Sequence, residues 1–289
     1  MARGEAKRTP PAHLLHLVFT LPRELHDIVR SHQVKLLGIL IHAAALSLAK
    51  LARDPRYVGG KIGVLSVLHT WTRALIYHPH AHCLVPAGGL SHDGASWLSP
   101  PKGFLVPVTA LSRIFRAKFM ALARKSFPHV SFPESVWHVE WVVYGKPSLQ
   151  GTERVLQYLA RYVHRIAITD NRILSMVDGQ VTFRYKDSRE KKWKTMSLPV
   201  MEFIRRFLQH VLPRSFHKVR YYGLLAPCNR HLLKQARSLM TDEEVLPDRI
   251  KDSHHNFGPA KPTYVLSPSC RLGHLILVRA IFYSGRAPP

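Results

Sequence analysis

The sequence predicts an α+β fold built on a mainly antiparallel sheet with packed helices. Three observations carry that expectation. Strand-like apolar runs follow one another through connections too short for a crossover. Other stretches repeat apolar residues at helical spacing. No strand–helix–strand rhythm runs along the chain.

His13–Leu21 (HLLHLVFTL) reads as a short apolar strand closed by Pro22. Pro22 then opens a helix over Arg23–Ala52, with Leu and Ala at helical intervals. Asp54-Pro55 and Gly59-Gly60 break the chain, and Ile62–Trp71 and Ala74–Val85 follow as two strands. Their short connection makes them an antiparallel pair. Pro100–Pro107 is a loop, and Leu111, Ile114, Phe115, Phe119 and Leu122 give Thr109–Ser126 a helical period. Val136–Tyr144 reads as another strand and Gly151–Arg165 as an amphipathic helix. Beyond Asp170 a meander is expected: Arg172–Val177, an Asp178-Gly179 turn, Gln180–Tyr185, a basic turn, and a third strand ending at Leu198. Pro199 opens a helix over Val200–Val211, and past Leu225 no clear period remains.

The 289 residues carry 42 Lys and Arg against 18 Asp and Glu, a formal charge of +24, while 46% are hydrophobic. That apolar share excludes a disordered basic tail, so the charge sits on a folded body. Such a surplus repels itself, and its natural partner is a polyanion, nucleic acid before an anionic membrane surface. The cysteines (Cys83, Cys228, Cys270) are odd in number, widely spaced and free of any C-x-x-C pair, which excludes a disulfide framework and an intact zinc ribbon. His13 and His16 interrupt the N-terminal apolar stretch, and no small-residue cleavage site follows. The longest apolar run, Leu36–Leu48, falls short of the roughly 20 residues of a bilayer span and reads as a buried helix. A soluble, cytoplasmic protein without a membrane segment is expected.

The informative segment is His78-Pro-His80-Ala-His82, set in an otherwise apolar strand. Alternate residues of a strand share a face, so the three imidazoles point one way. His78 and His82 lie about 13 Å apart along a flat strand, too far for one metal with bonds near 2 Å. His80 and His82 can converge, with a third ligand from a neighbouring strand. His69 on the preceding strand is the first choice and His78 the second.

The pair His80-Ala81-His82 resembles the histidine–hydrophobe–histidine (HUH) motif of rolling-circle nucleases. A longer series of blocks resembles the two-tyrosine transposases of the insertion sequence 91 type. In order, these are LHLVFTLPREL (15–25), LHTWTRALIYHPHAHCLVPAGGL (68–90), VYGKP (143–147), YLARYVHRIAI (158–168), EFIRRFLQHVLP (202–213) and FHKVRYYGLLA (216–226). The resemblance implies an HUH-type nuclease core over 13–170, after a basic tail at 1–12. A β-meander and helix at 171–226 would extend DNA binding, ahead of a loop-rich tail at 227–289. It implies Mg²⁺ or Mn²⁺ as cofactor, single-stranded DNA at transposon ends and target as partner, and Tyr158 and Tyr162 as nucleophiles. A tyrosine oxygen attacks phosphorus and leaves the strand 5′-linked to the protein with a free 3′-hydroxyl.

Arg161 and Arg165 flank the phenols and suit phosphate clamping. The turn KDSREKKWK supplies Lys186, Lys191, Lys192, Trp193 and Lys194, cations with an aromatic for stacking on single-stranded DNA. The family's cysteine-rich zinc-binding segment has no counterpart ahead of the FTLP strand (19–22), and Ser267-Pro-Ser-Cys270 stands where relatives often carry C-P-x-C. These departures lead to the expectation of a shortened copy whose DNA targeting is altered. Two other functions fit the same residues: a non-catalytic DNA-binding remnant, and a histidine-metal nuclease that uses water.

Overall fold

The computed structural model describes residues 14–100, 107–147, 166–187 and 190–240, together with the strand segments 264–266 and 274–276. The chain divides into residues 1–247 and residues 248–289. In the second unit Tyr264–Leu266 and His274–Ile276 pair antiparallel.

The expected α+β class holds. Among the described residues of the first unit, the central sheet contains β1 (Leu14–Thr20), β2 (Gly63–Trp71), β3 (Tyr77–Pro86), β6 (Val143–Pro147) and β10 (Val219–Gly223). Its order is β10-β2-β3-β1-β6, with every neighbour antiparallel. A two-strand hairpin, β4 (Gly89–Leu90) with β5 (Trp97–Leu98), follows β3. Strand alternation divides β3 cleanly: Tyr77, Ala81, Cys83 and Val85 join the main core, while His78, His80 and His82 take the other parity.

Helix α2 (Gln33–Ala52) packs on β2 and β3 and against α3 (Val108–Ser126). Its run Ala43-Ala44-Ala45 is buried. Phe19 meets Phe115 edge-on at 5.1 Å between ring centroids, and Phe115 meets Trp141 at 5.3 Å, which ties β1, α3 and the approach to β6 into one aromatic core. Helix α2 extends the Leu36–Leu48 run to 20 residues, so its length alone would cross a bilayer. Most of that length is buried inside the protein.

Four expectations need correction. The helix expected over Arg23–Ala52 is divided into a 3-10 turn at Arg23–Leu25, α1 (His26–Ser31) and α2. His32 causes the division: it leaves helical dihedrals (φ −129°, ψ 43°), and its ring packs edge-on against Phe127 at 4.5 Å. The strand expected over Val136–Tyr144 is a 3-10 turn at Glu134–Trp137 followed by the later strand β6. Here the Trp141 indole N–H donates to the Val136 carbonyl at 2.9 Å and the ring is buried, so the chain curls around the indole. The chain past Leu225 is not aperiodic throughout, because α5 (Arg230–Leu239) forms there. Its apolar side is only Leu232, Leu233 and Ala236, packed on Leu90, Trp97 and Leu224, which is a faint period for sequence reading. Finally, β10 lies within the stretch expected as an extension, yet it pairs with β2 as an edge of the central sheet.

Gly223 ends β10 at φ +59°, and a Cβ there would sit 1.9 Å from the Ile62 carbonyl oxygen, so glycine is required. The meander forms as β7 (Ile173–Val177), β8 (Gln180–Lys186) and β9 (Trp193–Pro199), in that order across its sheet. Phe183 and Leu198 pack on Leu75 of the β2–β3 turn, and α4 (Val200–Leu208) follows β9 directly.

Candidate metal centre

His69 and His80 are direct cross-strand partners of β2 and β3, and His82 lies two residues further along β3 on the same side. A register shift between His69 and Trp71 marks the hairpin end of β2, and the Trp71 ring stacks on His69 at 4.7 Å. The ring centroids of His69 and His82 are 4.6 Å apart, those of His80 and His82 4.9 Å, and those of His69 and His80 5.6 Å. One ring nitrogen from each falls within 4.8 Å of the other two. Among the described residues these are the three that converge in this way. His69 and His82 are buried and His80 is half-buried.

Hydrogen bonds define the outer nitrogens. His80 Nδ1 lies 2.6 Å from the His78 carbonyl oxygen, which can only accept, so Nδ1 carries the proton and Nε2 the lone pair. His82 Nδ1 lies 2.9 Å from Nε2 of buried His16, with the two rings stacked 11° from parallel. With Nδ1 of His82 as that donor, its lone pair also moves to Nε2. A backbone carbonyl on the outer nitrogen, as at His80, is one of the arrangements by which metal-ligating histidines are held. The donor set therefore fits a cation.

His16 was not identifiable from spacing, since it acts only through the β1–β3 register, which pairs Val18 with His82. His78 contributes its backbone carbonyl to His80, while its ring approaches His26 edge-on at 6.1 Å. Burial, together with the nearby His26, holds the His78 pKa below the ordinary imidazole value.

Behind the hairpin, His210 lies 3.3 Å from the Leu75 carbonyl through Nε2 and 3.3 Å from Thr70 Oγ1 through Nδ1. The carbonyl accepts from Nε2–H, and in the neutral ring that burial favours Nδ1 accepts from the Thr70 hydroxyl. Burial lowers its pKa accordingly. This contact fixes the end of α4 to the strand pair that carries the triad.

The remaining site candidates group elsewhere. Lys186 and Trp193 are cross-strand partners on β8 and β9. Trp193 is exposed, and the Arg184 guanidinium lies 5.3 Å from its ring centroid. Lys194 is engaged by Glu190 at 2.5 Å and Asp187 at 3.7 Å, and the Glu190 hydrogen bond raises its pKa. Lys191 and Lys192 belong to the same turn. Tyr158, Tyr162, Arg161 and Arg165 lie outside the described residues.

Residues 63–232 match the two-tyrosine transposase family (Y2_Tnp) described as "Putative transposase". The chain is also 38% identical to "Putative transposase y4qJ" of Sinorhizobium fredii over 95% of its own length and 75% of that protein's. The chain belongs to the two-tyrosine, insertion sequence 91 type transposase family. The "Transposase for insertion sequence element IS801" of Pseudomonas savastanoi is 26% identical over 80% of the chain and 59% of that protein. The chain thus spans three quarters of one relative and well under two thirds of the other. The matched stretch contains the histidine triad and Tyr158-x-x-x-Tyr162 alike.

Proposed function

We propose that this transposase cleaves and rejoins single-stranded DNA through a covalent 5′-phosphotyrosine intermediate, in rolling-circle transposition. The convergence of His69, His80 and His82 on adjacent strands is the observation that supports this reading most strongly. In it, residues 13–170 act as the nuclease core, completed at one sheet edge by β10, and the rest of residues 171–226 as a DNA-binding extension.

The three histidines would hold one divalent cation, Mg²⁺ or Mn²⁺, which when bound polarises the scissile phosphate and offsets charge in the transition state. Three neutral imidazoles favour Mn²⁺, since Mg²⁺ prefers oxygen donors. Tyr158 or Tyr162 loses its phenolic proton and its oxygen attacks phosphorus. The bond from phosphorus to the 3′-oxygen breaks, and that oxygen takes up a proton to become the free 3′-hydroxyl. Arg161 and Arg165 hold the phosphate in place. Lys186, Lys191, Lys192 and Lys194 attract the strand, and Trp193 offers a stacking surface.

The deciding experiment incubates the full chain with single-stranded DNA from an element end and Mn²⁺. A denaturation-resistant protein–DNA adduct is expected. Cleavage without an adduct would instead indicate water as the nucleophile, and no reaction would indicate a binding remnant.

His16 gives a second test. Replacing it by alanine removes the partner of His82 Nδ1 without removing a ligand. Mn²⁺ affinity is expected to fall about 10- to 100-fold, measured by calorimetry, the usual penalty for losing an orienting partner. Unchanged affinity would exclude that role.

A further inference from the structure

The hairpin end of the central sheet borders a cavity of about 440 Å³, where the β2–β3 turn, residues 23–30 and α4 meet. Four guanidinium groups line it from two distant parts of the chain: Arg23 and Arg30 on one side, Arg205 and Arg206 on the other. A neighbouring cavity of about 560 Å³ shares Arg30, Arg205 and Asp27 with it and adds polar Ser31 and Gln33.

Acidic groups offset part of this charge. Asp27 lines both cavities, and Glu202 binds Arg205 and Arg206 at 2.6 to 2.8 Å. Arg23 and Arg30 form no salt bridge among the described residues, which leaves the lining with a positive surplus.

Tyr77 supplies a second, independent observation. Its side chain lines the same cavity and is only 7% exposed, yet its hydroxyl has no hydrogen-bond partner among the described residues. A buried hydroxyl left in that state is rare and calls for an acceptor. Burial also raises the phenol's pKa, so the group keeps its proton and can donate. Guanidinium forks and one O–H are all donors, and the ligand that answers them is an anion rich in acceptor oxygens. Arginine meets phosphate with paired hydrogen bonds. Along β3, Tyr77 precedes His80 by three residues, about 10 Å at strand rise, and takes the opposite strand parity.

We propose that this groove, at the hairpin end of the strands that carry the histidine centre, binds the phosphate backbone of single-stranded DNA, with Arg23, Arg30 and Arg206 on phosphates and the Tyr77 hydroxyl donating to one of them. The inference rests on the strand-transfer reading above, and its test separates the two.

The full chain and two variants, Arg23→Gln/Arg30→Gln and Tyr77→Phe, are titrated against a fluorescein-labelled oligothymidylate over a salt series by anisotropy. The double variant is expected to bind at least about 10-fold more weakly, with the slope of log affinity against log salt reduced by about 1.4, for two lost phosphate contacts. Its Mn²⁺ affinity should stay that of the wild type. Tyr77→Phe should weaken binding several-fold with an unchanged or higher melting temperature, since it removes an orphaned hydroxyl. Unchanged affinity and slope in the double variant, beside normal binding and adduct formation by the wild type, would overturn the groove and leave strand transfer standing. A wild type that neither binds the oligonucleotide nor forms the adduct would overturn both. Should the double variant fail to fold, Tyr77→Phe decides: lower stability with unchanged affinity means a purely structural tyrosine.

Discussion

His80→Ala is expected to abolish covalent adduct formation while leaving most of the salt-sensitive affinity for single-stranded DNA. One of three nitrogen donors is lost, and the cation they would hold contributes several kcal/mol to charge stabilisation in the transition state. At about 1.36 kcal/mol per decade, that is a loss of roughly 1,000-fold or more in rate. DNA affinity is set by a +24 chain through Lys and Arg, so it should change little. The half-buried His80 is the cleanest position, since His82→Ala would also strip His16 of its 2.9 Å contact. His69→Ala should match His80→Ala. His78→Ala should not, because the group that serves His80 is the backbone carbonyl of residue 78, which alanine keeps. Full adduct formation by His69→Ala together with its loss in His78→Ala would reassign the third ligand.

The contrast between His69 and His78 shows what was legible in the sequence. Period-two alternation in HPHAH, a short turn and a lone histidine on the preceding strand were enough to bring His69, His80 and His82 to one place. Each step there is local: strand parity and a hairpin register within about a dozen residues. His16 escaped because its partner is 66 residues away and reachable only through the β1–β3 pairing. The same reason hid β10, whose partner β2 lies more than 150 residues upstream. The Val136–Tyr144 error has a different source. Aromatic and β-branched residues raise strand propensity, but Trp141 used its indole to close a turn and fill the core, and tertiary packing overrode the local preference. The Arg23–Ala52 helix is divided at a comparable contact, the His32 ring meeting Phe127 just past the end of α3.

Replacing Tyr158 and Tyr162 together by phenylalanine is expected to eliminate the adduct completely, with folding, DNA affinity and Mn²⁺ binding retained. The change deletes two oxygens and no carbon, so packing is nearly conserved wherever the rings lie. On the helix expected over Gly151–Arg165, four-residue spacing would separate the two phenols by about one turn of 5.4 Å on a shared face, near enough for both to serve one phosphate. In the proposed mechanism strand transfer divides the work between them, since one oxygen would hold the first cleaved end while the other attacks a second phosphate. Single variants should therefore still form an adduct on a simple cleavage substrate, at reduced yield. They should fail to join two ends, a step that needs both oxygens in turn. The readout is gel mobility of labelled protein–DNA adducts under denaturing conditions, with joined product scored separately. Mn²⁺ binding in the same samples controls for the integrity of the triad. An adduct of undiminished yield from the double variant would move the nucleophile to another residue and remove the two-tyrosine mechanism. Loss of joining in both single variants with cleavage intact would instead assign the two oxygens to the two successive steps.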